Sequence, residues 1–195
     1  TLYERANHLI RRSRAADAIP IIERALSIAQ AVSSRYQELR LQLLQSTAAR
    51  NLGQHARARE LAENAVDAAI REKMDNLATS GMITLGNALR VAGDYESAEK
   101  SFRRALDFAQ RAKVPRYEAL ASISLGALFE QKNQPEEARR FIEAAEPFYR
   151  QAGYRREFVQ AMAILGGVLQ QMGELDQGIQ TLREVLPIAV KLRDV

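Results

Sequence analysis

Leu85-Gly86-Asn87-Ala88-Leu89 is followed four residues on by Gly93-Asp94-Tyr95-Glu96-Ser97-Ala98-Glu99-Lys100-Ser101-Phe102-Arg103-Arg104-Ala105-Leu106. In the second stretch, small and apolar residues fall at i, i+4, i+7 and i+8 from Ala98, with charges in the gaps. That is one stripe of an amphipathic helix. The first stretch has the same helical spacing, and Gly93 between them is a residue that ends a helix in the left-handed conformation. The pair therefore reads as a helix, a tight turn and a second helix.

The same pattern recurs along the chain. Ala18, Ala58, Ala98, Ala138 and Gly178 lie forty residues apart, and so do Ala25, Ala65, Ala105, Ala145 and Val185. Ser13, Gly53, Gly93, Asn133 and Gly173 occupy the turn column. Gly86, Gly126 and Gly166 share a fourth column with Ala6 and Ser46, and Leu85, Leu125 and Leu165 precede the glycines. A repeat of this length signals stacked supersecondary units. Ten helices are predicted, over 1–12, 15–31, 34–52, 55–72, 75–92, 95–111, 115–132, 135–151, 154–172 and 175–191. The recurrent glycines let the facing helix approach closely. Pro135 suits a helix start, whereas Pro147 and Pro187 are expected to kink or end theirs. No strand pattern, linker or low-complexity segment interrupts the units.

These residues resemble the tetratricopeptide repeat family over essentially the whole chain. The copy at Leu85-Gly86 with Ala98, Phe102 and Ala105 fills its leucine–glycine, alanine, aromatic and alanine positions. Leu125-Gly126 with Ala138, Ile142 and Ala145, and Leu165-Gly166 with Gly178, Leu182 and Val185, follow it. The first two copies have Arg5-Ala6 and Gln45-Ser46 instead of the leucine–glycine pair. A unit of forty residues is similar to the subtype in Pins/LGN-type scaffolds, kinesin light chains and bacterial regulator superhelices. The resemblance implies an all-α, right-handed α-α superhelix of five helix-turn-helix units, over about 1–33, 34–73, 74–113, 114–153 and 154–195. It also implies a module that binds peptides or protein surfaces, without catalytic residues.

Composition bounds the rest. The chain has 195 residues, 47% hydrophobic and 27% charged, as in ordinary folded protein. No apolar run is long enough for a membrane-spanning helix. Cysteine is absent, which removes disulfides, thiolate metal sites and cysteine nucleophiles and fits a cytoplasmic location. The start at Thr1 rather than Met is expected of a piece of a longer protein. The 28 Lys and Arg against 24 Asp and Glu give +4, with an isoelectric point near 9.6. Residues 1–50 carry all of this excess, eight Arg against four acids. No block of like charge marks a nucleic-acid tract. Arginines and acids interleave without an aromatic platform, so nucleic-acid binding ranks below protein binding.

In arrays of this kind the first helix of each hairpin lines the concave groove. The stripe expected there comprises Asn7 and Arg11 in unit one, Arg40, Leu43, Thr47, Arg50 and Asn51 in unit two, and Ile83, Asn87 and Arg90 in unit three. Ile123, Glu130 and Gln131 continue it in unit four. Asparagine amides pair with a peptide backbone, and arginine forks grip carboxylate or phosphate. An acidic or phosphorylated peptide or protein segment is the expected partner. No small-molecule substrate, cofactor, metal or membrane partner is expected. His8 and His55 are the only histidines and lie in different units, and no phosphate-binding glycine loop exists. Glu136-Glu137 and Asp94/Glu96 are placed to stabilise helix starts rather than to do acid–base chemistry. Finally, Leu175, Ile179, Leu182, Val185, Leu186, Ile188, Val190 and Leu192 make the last helix apolar on nearly every side, where a terminal repeat needs a polar outer face, so either further repeats follow it or this end docks on something. Self-association through that helix is the alternative function.

Overall fold

The computed structural model describes residues 1–193 of the chain. Among them are ten α-helices: α1 Leu2–Arg11, α2 Ala15–Ala31, α3 Arg35–Asn51, α4 His55–Arg71, α5 Asp75–Val91, α6 Tyr95–Ala112, α7 Pro115–Gln131, α8 Pro135–Gln151, α9 Arg155–Gln171 and α10 Leu175–Arg193. No strand occurs among the described residues. Two compact units divide the chain, the first Thr1–Phe108 and the second from Ala109 onward.

One turn design joins every pair of helices. Ser13, Ser33, Gly53, Lys73, Gly93, Lys113, Asn133, Gly153 and Gly173 all have positive φ, between 52° and 85°. They recur every twenty residues, so turns within hairpins and turns between them are alike. In each, the next residue's N–H reaches back to the carbonyl five positions earlier. Gln54 N donates to Ala49 O at 2.9 Å and Gly53 N to Arg50 O at 3.1 Å. That double bond is the Schellman closure of a helix C-terminus. Asp94 to Leu89, Gln134 to Phe129 and Glu174 to Leu169 repeat it at 3.0, 2.9 and 2.8 Å. The turn column read from Ser13, Gly53, Gly93, Asn133 and Gly173 is as expected. Ser33, Lys73, Lys113 and Gly153 add a second turn column, and its serine and lysines carry no strong left-handed signal.

The residue that closes one helix also starts the next, and its side chain seldom helps. Arg14, Ser34, Gln54, Met74, Val114, Gln134 and Tyr154 make no side-chain cap. Asp94 does: its Oδ1 accepts from Ser97 N at 3.1 Å. Helix ends in this protein are thus satisfied mainly by the backbone turn. Pro115 and Pro135 open α7 and α8, where a missing N–H costs nothing. Pro147 and Pro187 do not end their helices, contrary to one of the two expected outcomes. Both lie inside, as does Pro20 in α2. Tertiary packing along α8 and α10 outweighs one lost backbone bond.

The core runs between paired helices and is built from small residues. Ala58, Ala98 and Ala138 are fully buried, as are Ala65 and Ala105. A Cβ on Gly86 would sit 2.4 Å from Phe102 Cε1, and one on Gly126 would sit 2.5 Å from Ile142 Cγ1. The glycine column is therefore a socket for the large residue opposite. In the second hairpin the volumes are exchanged. Ser46 fills the glycine position and its hydroxyl donates to Ala58 O at 2.7 Å, while Phe102's column holds Ala62. Both first copies, which lack the leucine–glycine pair, form the same helical hairpin as the rest.

Candidate functional site

In the first unit, the leading helices α1, α3 and α5 lie side by side, α3 touching both others. Helical spacing puts Asn7, Thr47 and Asn87 in one row across them, with Arg50 and Arg90 in the next row. Asn87, Thr47, Arg50, Arg40 and Arg90 are half-buried, whereas Arg11 and Asn51 are exposed. The face is therefore a shallow polar surface rather than a cleft.

Its floor is apolar. Leu43 and Ile83 are expected from the sequence to face a ligand, but only 7% and 4% of their surfaces are exposed. The correction has a packing reason: Gly81 lets α5 approach α3, so that a Cβ there would meet Leu43 Cδ2 at 3.4 Å and Val66 Cγ2 at 2.8 Å. Ile123 in α7 is likewise core, at 5%. Leu43 and Ile83 support the face from beneath.

Arg40 is also engaged more than expected. Its guanidinium stacks 3.7 Å from the centroid of the Tyr3 ring and lies 3.9 Å from Glu4. Both partners come from α1, so Arg40 ties α3 to α1. Asn87 turns its amide onto its own helix, donating to Ile83 O at 3.0 Å. Thr47 donates to Leu43 O at 3.1 Å in the same manner. In Asn87 this orientation presents the carbonyl oxygen, an acceptor, to the face.

Arg50 carries the electrostatic strain of the site. Among the described residues its Nε and Nη2 reach only Asn51 Oδ1, at 3.4 and 3.2 Å. Burial pulls its proton affinity below the usual arginine value, and the charge of Arg90 lowers it further. The guanidinium stays charged, but it sits part-desolvated beside a like charge. An anion placed there would relieve both costs. At the amino end, Glu4, Arg5, Asn7, His8, Leu9, Arg11 and Ile21 line an open cleft of about 520 Å³. Asn7 and Arg11 are thus gathered with one another, one helix away from Arg50.

The second unit presents a different surface. Gln171 Nε2 donates to Glu130 O at 3.4 Å, joining α9 to α7. The Glu130 carboxylate lies over the α9 backbone where a Cβ on Gly167 would meet it at 2.7 Å. Gln131 is exposed. Nothing in this group collects anions.

One feature of the second unit escaped the sequence. Phe148, Tyr149 and Tyr154 pack ring against ring with centroids 5.6–6.3 Å apart, and Arg116 stacks 5.3 Å from the Tyr154 centroid. Tyr149 is 3% exposed and its hydroxyl has no hydrogen-bond partner among the described residues. Burial raises its proton affinity well above the ordinary phenol value. The clustering of Phe148, Tyr149 and Tyr154 within seven residues is the one sequence signal that points to it. Among the described residues there is no grouping of three or more His, Asp or Glu able to hold a metal. No described helix is long and apolar enough to cross a membrane.

Comparison with known proteins bears on the fold. Residues 77–151 match the tetratricopeptide repeat family. No curated protein matches the sequence. Among solved structures, kinesin light chain TPR-like repeats from Podosopora anserina superpose with a TM-score of 0.67 at 16% identity, over 100% of this chain and 96% of that one. A Rap protein complexed with competence and sporulation factor gives 0.88 at 15% identity, over 99% of this chain and 54% of that one. A Rap conjugation gene regulator solved with a bound peptide gives 0.84 at 20% identity, over 97% and 52%. This chain thus spans about half the length of the two Rap proteins. At such identities the likeness is one of fold, an all-α superhelical repeat array.

Proposed function

Since residues 77–151 match the tetratricopeptide repeat family and the fold is that of a helical-hairpin repeat array, we propose that the chain is a non-catalytic interaction module whose α1–α3–α5 face binds an extended acidic or phosphorylated segment of another protein. The observation that carries the reading is Arg50. A part-buried guanidinium beside a second arginine is costly unless an anion joins it, and only Asn51 attends it among the described residues. A carboxylate or phosphate there would accept two charge-assisted bonds. Asn87 Oδ1 lies in the adjoining row, suited to accept from a peptide N–H. Arg11 and Asn7 extend the surface toward the amino end. The peptide complex of the Rap conjugation regulator supports the mode of binding. Charge-assisted bonds contribute about 1.5–3 kcal/mol each, so two or three supply a large part of the roughly 8 kcal/mol of micromolar affinity, with backbone and apolar contacts of the peptide adding the rest.

Fluorescence anisotropy against matched peptide sets tests this: one acidic, one phosphorylated, one neutral and one basic. Acidic or phosphorylated peptides should bind, weakening as salt rises. The pair Arg50→Gln with Asn87→Ala should lower affinity at least about tenfold while helicity is unchanged. Equal binding of basic peptides, or a double variant that binds as tightly as the parent, would overturn the proposal.

A further inference from the structure

The last helix leaves a row of apolar side chains uncovered. Leu175, Ile179, Leu182, Leu186 and Val190 are 58%, 48%, 44%, 60% and 55% exposed. Leu182 is the telling one. Ile22, Ala62, Phe102 and Ile142 occupy its column in earlier hairpins, and each is fully buried. Among the described residues Gly178 and Val185 are the buried ones of α10, so the exposed row occupies the adjoining side of the helix, with Leu182 at the border, where it also packs over Gly166 of α9.

The spacing of that row is informative. Leu175, Ile179, Leu182 and Leu186 follow a four-three-four rhythm, the seam of a two-helix coiled coil. In the heptad they set, Ile179 and Leu186 take position a, Leu175 and Leu182 position d. The flanking e positions are Asp176 and Arg183. Both are exposed, and neither is held in an ion pair among the described residues. Now let a second α10 lie antiparallel, with Ile179 opposite Leu182 and Leu175 opposite Leu186. The same register sets Asp176 opposite Arg183, and by symmetry Arg183 opposite Asp176. One helix is thus self-complementary in shape and in charge, as a two-fold interface requires.

A head-to-tail stack fits less well. The first helix would have to supply the face that later leading helices bury. There it offers Arg5, His8 and Arg12, all exposed. His8 stands where Ala48, Ala88, Leu128 and Val168 are buried, and Arg5 where Leu125 and Leu165 are buried. The exposed side of α1 is charged, whereas the exposed face of α10 is apolar.

We infer that this face is a homodimer interface: α10 of one copy packs antiparallel on α10 of a second copy, with reciprocal Asp176–Arg183 ion pairs beside a leucine–isoleucine seam. The paired segment, 175–190, is about 24 Å long, at the small end of specific interfaces, so association in the micromolar range is expected. Pro187 takes an outward heptad position and does not enter the seam.

Sedimentation velocity of the 195-residue chain from low micromolar to a few hundred micromolar is the first test. A reversible monomer–dimer equilibrium is expected; a strict monomer throughout would overturn the inference and leave the face to a different helix. Leu186→Glu, at an exposed position, should weaken the dimer at least about tenfold with helicity retained; an unchanged dimer would place the interface elsewhere. The register has its own test. Asp176→Arg and Arg183→Asp should each weaken self-association by setting like charges opposite one another. Mixed in equal amounts they should recover it, since the two arginines on one variant's helix then face the two aspartates on the other's. Failure of the mixture to associate better than either variant alone would overturn the antiparallel register.

Discussion

Two residue types at two columns show opposite local physics. Lys73 and Lys113 hold left-handed backbone, at φ 55° and 54°, in positions where Gly53 and Gly93 do so without a Cβ. The cost of that conformation for a side-chain-bearing residue is roughly 1–2 kcal/mol. Lys73→Gly and Lys113→Gly should therefore each stabilise the protein by roughly 0.5–1 kcal/mol, after the extra freedom glycine gives the unfolded chain. Thermal unfolding should show a rise of a degree or more for each. The reverse change, Gly53→Ala, meets no atom within 4 Å, so any loss there is backbone strain alone. In the glycine column, space decides. An alanine at Gly86 drives a methyl into the fully buried Phe102 ring, and one at Gly126 drives it into the fully buried Ile142. Each should destabilise by about 1–3 kcal/mol even though alanine is the better helix former. At Gly166 the obstructing Leu182 is 44% exposed and can swing aside, so alanine should cost least there. Equal melting temperatures for all three variants would contradict this ranking.

At the level of the helix, ends and faces are held by different means. Backbone turns close the C-termini, and only α1 and α6 have a side-chain cap among those described, from Thr1 and Asp94. The hydrogen bond from Ser97 N holds the Asp94 carboxyl below its usual value. A carboxylate with a depressed folded value stabilises above its unfolded pKa of about 3.9 and loses that contribution as pH falls below it. The parent protein should thus lose more stability than Asp94→Ala between about pH 5 and 3, while at about pH 7 the variant is weaker by about 1 kcal/mol. Denaturant midpoints at the two pH values decide it; parallel pH dependence would remove Asp94 from the account. Helix faces are tied between elements by arginine. Arg139 bonds Glu143 on its own helix and Glu174 beyond the α9 turn, while Arg150 bonds Glu146 and Glu184. These exposed pairs contribute little singly.

For the molecule, stability in a repeat array is a sum of neighbour terms, so damage stays local. Gly126→Leu should lower hydrogen-exchange protection most in α7, α8 and α9, and least in α1 and α2. Uniform loss of protection would mean a single cooperative block. The two surfaces proposed to bind also lie in different compact units. The arginine face belongs to residues 1–108, and the α10 seam to residues beyond 108. Leu186→Glu should therefore weaken dimerisation and leave anisotropy with acidic peptides unchanged. Arg50→Gln should do the converse. A variant that alters both readouts would show the two to be coupled.

The class, the ten helices and their bounds to within two residues are legible in the residue pattern alone. That was possible because a forty-residue period repeats small residues where helices touch, and identical contacts demand identical side-chain volumes. Ala18, Ala58, Ala98 and Ala138 are fully buried for that reason. Turn glycines were legible because one conformation favours them, yet Lys73 and Lys113 adopt it unannounced, held by the same backbone bonds. Which side of each leading helix stays uncovered depends instead on how the helices pack. Helical period puts Leu43, Ile83 and Ile123 in the same stripe as Asn87 and Arg50, but the close approach allowed by Gly81 buries Leu43 and Ile83. Likewise Arg40 looked available until Tyr3 and Glu4 came beside it. Periodicity fixes the angle of a side chain around its own helix; how near the next helix comes fixes whether that angle meets water or carbon.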